Sequence, residues 1–125
     1  MGLLEELAVR CEAATGADRE VDAEIRCALN GIEYPIADTL HGRLMRQVRQ
    51  DCAECYTGSV DAAMTLIPDG EEWSLHKVLY DNKGCPAAIV NLELPEVLAM
   101  TPALALTAAS LRARHALALS KGSEG

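Results

Sequence analysis

Cys52-Ala-Glu-Cys55 carries two thiols at the C-x-x-C spacing that elsewhere serves zinc binding or disulfide exchange. Zinc wants four ligands. A second such pair is missing, so His41 and Cys85 would have to complete the site from afar. Thioredoxin-type exchange needs a βαβ context, which does not precede Cys52. On a helix, residues three apart share a face, and a buried or partly buried thiol pair is the simpler expectation. His41, His76 and His115 are scattered, with no serine or cysteine beside them in an elbow-like turn. Asp18, Glu20, Asp22 and Glu24 would spread over several directions of a helix, which predicts a solvated face rather than a metal cluster. Gly16, Gly31 and Gly70 are isolated, so no phosphate-cradling loop is present. These residues assemble no catalytic constellation, and an enzyme is not expected.

Arg43, Arg46 and Arg49 are the side chains least explained by folding. Spaced by three, they are expected along one side of a helix, where guanidinium forks can grip a phosphate or a partner's carboxylates. They are the candidate ligand- or partner-binding residues. The competing reading is a solvated face that pairs with the chain's surplus acids. An anionic small molecule or an acidic protein surface suits three arginines better than duplex DNA, because the rest of the molecule repels DNA.

That rest is strongly acidic. The 125 residues carry a formal net charge of −8, which disfavours nonspecific binding to nucleic acid or to an anionic membrane. Residues 1–31 hold seven acids against three arginines, and residues 57–99 hold seven against two lysines. The five cysteines are odd in number, and the first residues are acidic without a continuous apolar stretch. Reduced thiols in the cytoplasm are therefore expected, not a secreted disulfide framework. The region around "LAMTPALALTAASL" is too short and too polar to span a bilayer. The length suits one domain with a genuine core. Lacking phenylalanine, that core must be built from Leu, Ala, Val, Ile and Met. Small side chains bury little area each, so association between copies is a natural supplement to stability.

The elements that must position these groups follow from periodicity. Leu3, Leu4, Leu7, Ala8, Cys11 and Ala14 form one helical stripe, ended by Thr15-Gly16. Val21, Ile25, Ala28 and Leu29 form a second, stopped by Asn30-Gly31. Pro35 makes residues 32–40 a bend or short extended piece. "GRLMRQVRQDCAEC" reads as a third helix with Leu44, Met45, Val48, Cys52 and Cys55 inward, or as a partly mobile arm. Thr57 or Ser59 can cap a fourth, with Val60, Ala63, Met64 and Ile67 facing the core until Pro68-Asp69-Gly70 forces a turn. "EEWSLHKVLYD" alternates as a strand, "DNKG" turns, and "PAAIVNLEL" returns as the second arm of a hairpin. Thr101 caps a last helix with Pro102 as its first residue. Its early turns are apolar all round, which predicts packing on more than one side.

Three segments in this order, "LLEELAVRCEAATGADREVDAEIRCAL", "YTGSVDAAMTLIPDGEEWSL" and "TPALALTAASLRARHAL", resemble the phage ABA-sandwich domain family of small phage and prophage proteins. The resemblance covers most of the chain and is loose over residues 32–55. It implies a sheet sandwiched between helical layers and a phage or prophage origin, without an established reaction or catalytic residues to transfer. The expected fold is α+β, a single domain over residues 1–125. A small antiparallel sheet (hairpin about 71–94) lies between an N-terminal helical hairpin plus middle helix and a C-terminal helix. Residues 32–55 form an insertion or arm, and 120–125 a frayed tail. The expected function is a non-enzymatic interaction protein in the host cytoplasm, aimed at a host protein or complex. Inhibition of an anti-phage defence system through an acidic surface is its specific form. The alternative is a protein binding a nucleotide or other anionic ligand through the Arg43–Arg49 segment at a homo-oligomer interface. No cofactor, metal, membrane or duplex nucleic acid is expected.

Overall fold

Eight elements follow one another in the computed structural model, which describes residues 2–80, 83–91 and 93–124. They are α1 (Leu3–Ala13), α2 (Arg19–Leu29), α3 (Leu40–Cys52), α4 (Val60–Met64), β1 (Trp73–Tyr80), β2 (Lys83–Val90), β3 (Val97–Leu98) and α5 (Pro102–Glu124). The architecture is α+β, with helices N- and C-terminal to one antiparallel sheet of strand order β1-β2-β3.

Helix α5 organises the rest. Thr101 Oγ1 accepts from the Leu104 N–H at 3.1 Å and closes the helix start, with Pro102 at the position where a missing N–H costs nothing. Every residue from Ala103 to Leu111 is buried. One side of the helix packs on β2 and β3, and others pack on α1 and α4. In space α5 is therefore the middle layer, with the sheet on one flank and α1 on another. Helix α2 packs outside α1, and α3 lies outermost, on α2. The core is mostly aliphatic: Leu7, Ile25, Leu66, Leu104, Leu106 and Leu111 are its largest fully buried side chains. Alanines at 8, 63, 88, 105 and 108 let the backbones approach closely between them.

The N-terminal helical hairpin forms for local reasons. Asp18 accepts from the N–H groups of Glu20 and Val21 and so caps α2. At the other end Gly31 takes a φ of +67°, and the Ile32 N–H folds back onto the Cys27 carbonyl at 2.8 Å. Ser59 caps α4 through the Ala62 N–H, leaving Thr57 for another task.

Several expectations are corrected. Helix α4 ends at Met64, which is exposed, while Leu66 takes the buried place beyond it. Strand β2 stops at Val90 rather than running to Leu94. Asn91 adopts a left-handed φ of 71° there, its side chain accepting from the Glu93 N–H. Of the turn expected at "DNKG", Asp81 and Asn82 lie outside the described residues, while Lys83 and Gly84 already belong to β2, paired with Tyr80 and Leu79. The short β3 is an addition, pairing Val97 and Leu98 with Ala88 and Ala87. Pro86 is tolerated in the central strand because its carbonyl, and hence its missing N–H, faces the β3 side, where the Ala99 N–H donates to it. Leu79 is 83% exposed, not packed with Leu75, on the hairpin arm that pairs with Gly84. Helix α5 runs from Pro102 to Glu124.

Residues 32–55 contain a regular helix, but its facing is reversed. Leu44, Val48, Cys52 and Cys55 are exposed, and Gly42 is the buried residue of α3. Arg46 donates to the carbonyls of Pro35 (3.2 Å) and Ala37 (3.0 Å), binding the preceding loop to the helix. Gly42 sits so close to Ala37 that a Cβ would collide with its carbonyl. The inward side is thus taken by backbone and guanidinium, and the apolar ridge is left outside.

Two hydroxyls on buried turns of α5 provide a paired test. Thr107 donates to the Tyr56 carbonyl at 2.7 Å, whereas Ser110 Oγ is buried with no partner. Thr107→Val should cost about 1–3 kcal/mol in urea unfolding, since the carbonyl is left unsatisfied. Ser110→Ala should be neutral or stabilising, because it removes a group that already lacks its bond.

Candidate functional site

The Asp22 carboxylate is completely buried on α2. Its Oδ1 accepts from both the N–H and the hydroxyl of Thr57, each at 2.8 Å. The same hydroxyl accepts from the Asp18 N–H at 2.8 Å. Oδ2 pairs with Arg19 at 2.9 Å. Arg19 also donates to the carbonyls of Gln50, Ala53 (2.7 Å) and Glu54 (3.3 Å), setting a cation at the C-terminal end of α3. The acids of α2 are therefore not one solvated face. Asp18 caps, Asp22 is a buried hub, Glu24 pairs with Arg10, and Glu20 alone is exposed. Every acceptor of this hub is engaged from within the protein, which makes it architectural.

The three arginines do not converge. Three residues turn a helix by about 300°, so the side chains fan around α3. Arg43 is exposed and reaches only Asp38, at 4.0 Å. Arg46 is spent on the Pro35 and Ala37 carbonyls. Arg49 is half-buried against α2, its Nε without a partner, beside a pocket of about 30 Å3 lined by Ala23, Arg26, Asn30 and Cys52. That volume has room for about one water, not a nucleotide.

Cys52 and Cys55 are exposed rather than buried, and Arg19 donates to the Cys55 sulfur at 3.1 Å. Among the described residues no cluster of three or more His, Cys, Asp or Glu is placed to hold a metal. Cys11 and Cys27 are the buried thiols. Burial, reinforced by the Asp22 charge, pushes the Cys11 thiol up to about 12. Burial likewise raises the Tyr56 phenol. His76 Nε2 meets Glu96 at 2.6 Å while Ser74 Oγ lies 3.5 Å from its Nδ1, and His115 meets Glu5 at 3.4 Å.

A different surface gathers acids near the exposed tryptophan. The α4–β1 loop brings Asp69, Glu71 and Glu72 to one end of the sheet. The β2–β3 loop carries Glu93 to the same end, because the Asn91 N–H donates to the Glu72 carbonyl at 2.8 Å. Trp73, the single tryptophan, starts β1 there and is 41% exposed. Asp69 also lines a cleft of about 740 Å3 between α1, the end of α2 and α5, together with Leu4, Leu29, Ile67, Arg114 and Leu117. Arg114 Nε is held by the Leu66 carbonyl at 2.6 Å. The sequence signal for this end was the density of acids in "PDGEEW" and "NLELPE", which turn chemistry alone does not require. No helix among the described residues is long and apolar enough to cross a membrane.

Comparison with protein-family models, with characterised proteins and with solved structures finds no match to this chain.

The hub and the thiols each give a test. Thr57→Val removes one bond to a buried carboxylate and the acceptor of the Asp18 N–H, so unfolding free energy should fall by about 1.5–3 kcal/mol. A thiol reagent at mildly alkaline pH should modify Cys52 and Cys55 in the folded protein and reach Cys11 and Cys27 only on unfolding. Between the ordinary thiol value of 9.0 and about 12, the unfolded chain gives up the Cys11 proton while the folded chain keeps it. Stability should therefore decline as pH rises through that window, and Cys11→Ala should flatten the decline relative to wild type.

Proposed function

We propose that this chain is a non-enzymatic interaction protein whose acidic end engages a basic surface on a partner protein. The observation that carries this is the exposed Trp73 at the sheet end where the loops holding Asp69, Glu71, Glu72 and Glu93 meet, with Asp69 also lining an open cleft. Protein interfaces concentrate aromatic anchors, and charge of one sign around such an anchor selects a partner of the opposite sign. The net charge of −8 steers a basic partner toward the molecule and repels nucleic acid, so a protein is the better match. The likeness to small phage proteins supports a phage or prophage origin, and with it a host complex as the target. A host defence complex that uses a basic channel to hold nucleic acid would present the complementary surface. Occupying that channel would block it.

The test is capture of a partner from host lysate with the wild-type chain, Trp73→Ala and the double variant Glu71→Lys/Glu72→Lys. Wild type should retain a partner that is released by added salt, and both variants should lose it while melting normally, since all three positions lie at the surface. Expression of the wild type in cells carrying the defence should rescue phage growth, and the variants should not. Retention of the same partner by the double variant, or no rescue by the wild type, would remove the acidic end from consideration.

A further inference from the structure

Helix α3 presents its apolar residues to solvent. Leu40 is 69% exposed, Leu44 56% and Val48 49%, and Ile36 just before the helix is 80% exposed. Leu40, Leu44, Val48 and Cys52 are spaced by four and form one continuous ridge along the helix, the type of ridge that packs into the groove of another helix. Thr39 caps the helix through the Gly42 N–H at 3.0 Å, and Arg19 holds its other end, so the ridge is displayed on a formed helix. A row of Arg43, Gln47 and Asp51 runs beside the ridge. Gln47 Nε2 donates to Asp51 at 2.9 Å, while Arg43 has only the 4.0 Å approach to Asp38.

That row has opposite charges at its two ends and a neutral amide at its centre. Turned end for end about Gln47, it meets itself with Arg43 against Asp51 twice. The same turn sets Val48 of one copy between Leu44 and Val48 of the other, and Leu44 of one copy between Val48 and Cys52 of the other, so the two apolar ridges interdigitate. We propose that α3 is a self-association surface, at which two copies of this chain pack their α3 helices antiparallel about a two-fold axis near Gln47. The occupant is a second copy because a two-fold contact must be self-complementary, and this face is, in charge and in apolar spacing. Elsewhere two copies of a molecule of charge −8 repel each other, whereas residues 41–50 hold three arginines and no acid. The open edge of β1 is a poorer route, since Lys77 stands in the middle of that strand. A single helix face is smaller than the ~800 Å2 per partner of a standard interface, so the dimer should be concentration-dependent.

The experiment is sedimentation of the full chain over a concentration series, with reductant to keep the exposed Cys52 and Cys55 from cross-linking. Wild type should move from monomer to dimer as concentration rises. Leu44→Glu should weaken association by at least about tenfold, and its exposure means the fold is not at stake. Arg43→Glu and Asp51→Arg, each alone, set like charges together and should weaken it too. Mixed in equal amounts, or combined in one chain, these two changes restore opposite charges at both contacts, and the dimer should return. A wild type that stays monomeric, a dimer indifferent to Leu44→Glu, or single variants that the combination does not repair would each overturn the proposal. Growth beyond a dimer would also overturn it, since that marks a head-to-tail contact between the basic helix and an acidic face.

Discussion

A carboxylate sealed away from water sets the terms for the N-terminal half of this protein. An unpaired charge in that position costs several kcal/mol, and Asp22 is acceptable only because three donors from two other places in the chain reach it. Those donors fix more than the carboxylate. Thr57 ties the segment entering α4 to the start of α2, and Arg19 carries the connection on to the end of α3. Segments 39 residues apart in sequence are joined by one hydroxyl. Hydrophobic contact is tolerant of small slides, whereas hydrogen bonds to a buried charge are not, so the hub specifies the register in which α2, α3 and α4 are assembled.

The other half depends on closeness. Helix α5 is buried all round for nine residues, from Ala103 to Leu111, and its neighbours are rich in alanine. With Tyr56 as the buried aromatic, the area removed from water per residue is modest, and density has to come from short interaxial distances. The sheet accordingly meets α5 through Ala88, Val90 and Val97, while Leu79 farther along the hairpin is exposed. Charge is kept away from this contact: acids gather at the loops of the sheet end, and the buried Asp22 lies on α2 against Thr57 and Arg19. Function proposed for the acidic end therefore does not compete with the packing that holds the fold.

What the amino-acid pattern revealed and what it hid divide along a physical line. Ends of elements were legible, because a cap or a left-handed exit is a local matter decided within four residues. Thr101-Pro102, Ser59 and Asn30-Gly31 act where the pattern places them. The all-round burial of α5 was legible too, since no polar stripe interrupts it. Orientation was not. The apolar ridge of α3 has the period of a core-facing stripe, and nothing local tells that Gly42, Arg46 and Arg49 hold the inner side instead. The same limit hid Asp22, whose partner lies 35 residues away, and dispersed the three arginines, whose common spacing reads as a cluster only until the helical rotation is applied. The acidic end was visible as composition and became a site only when a backbone bond brought two loops together.

Helix α3 is attached by polar links and a glycine contact, with no large side chain of its own sunk into the core. Attachment of that kind separates its opening from global unfolding. Breaking the links to Arg19 and Arg46 exposes little new hydrocarbon, so α3 forms a foldon near the low end of the local stability range, whereas the amides of α5 exchange only when the whole domain opens. The outermost helix can then detach, sample solvent and re-dock while the remainder stays intact.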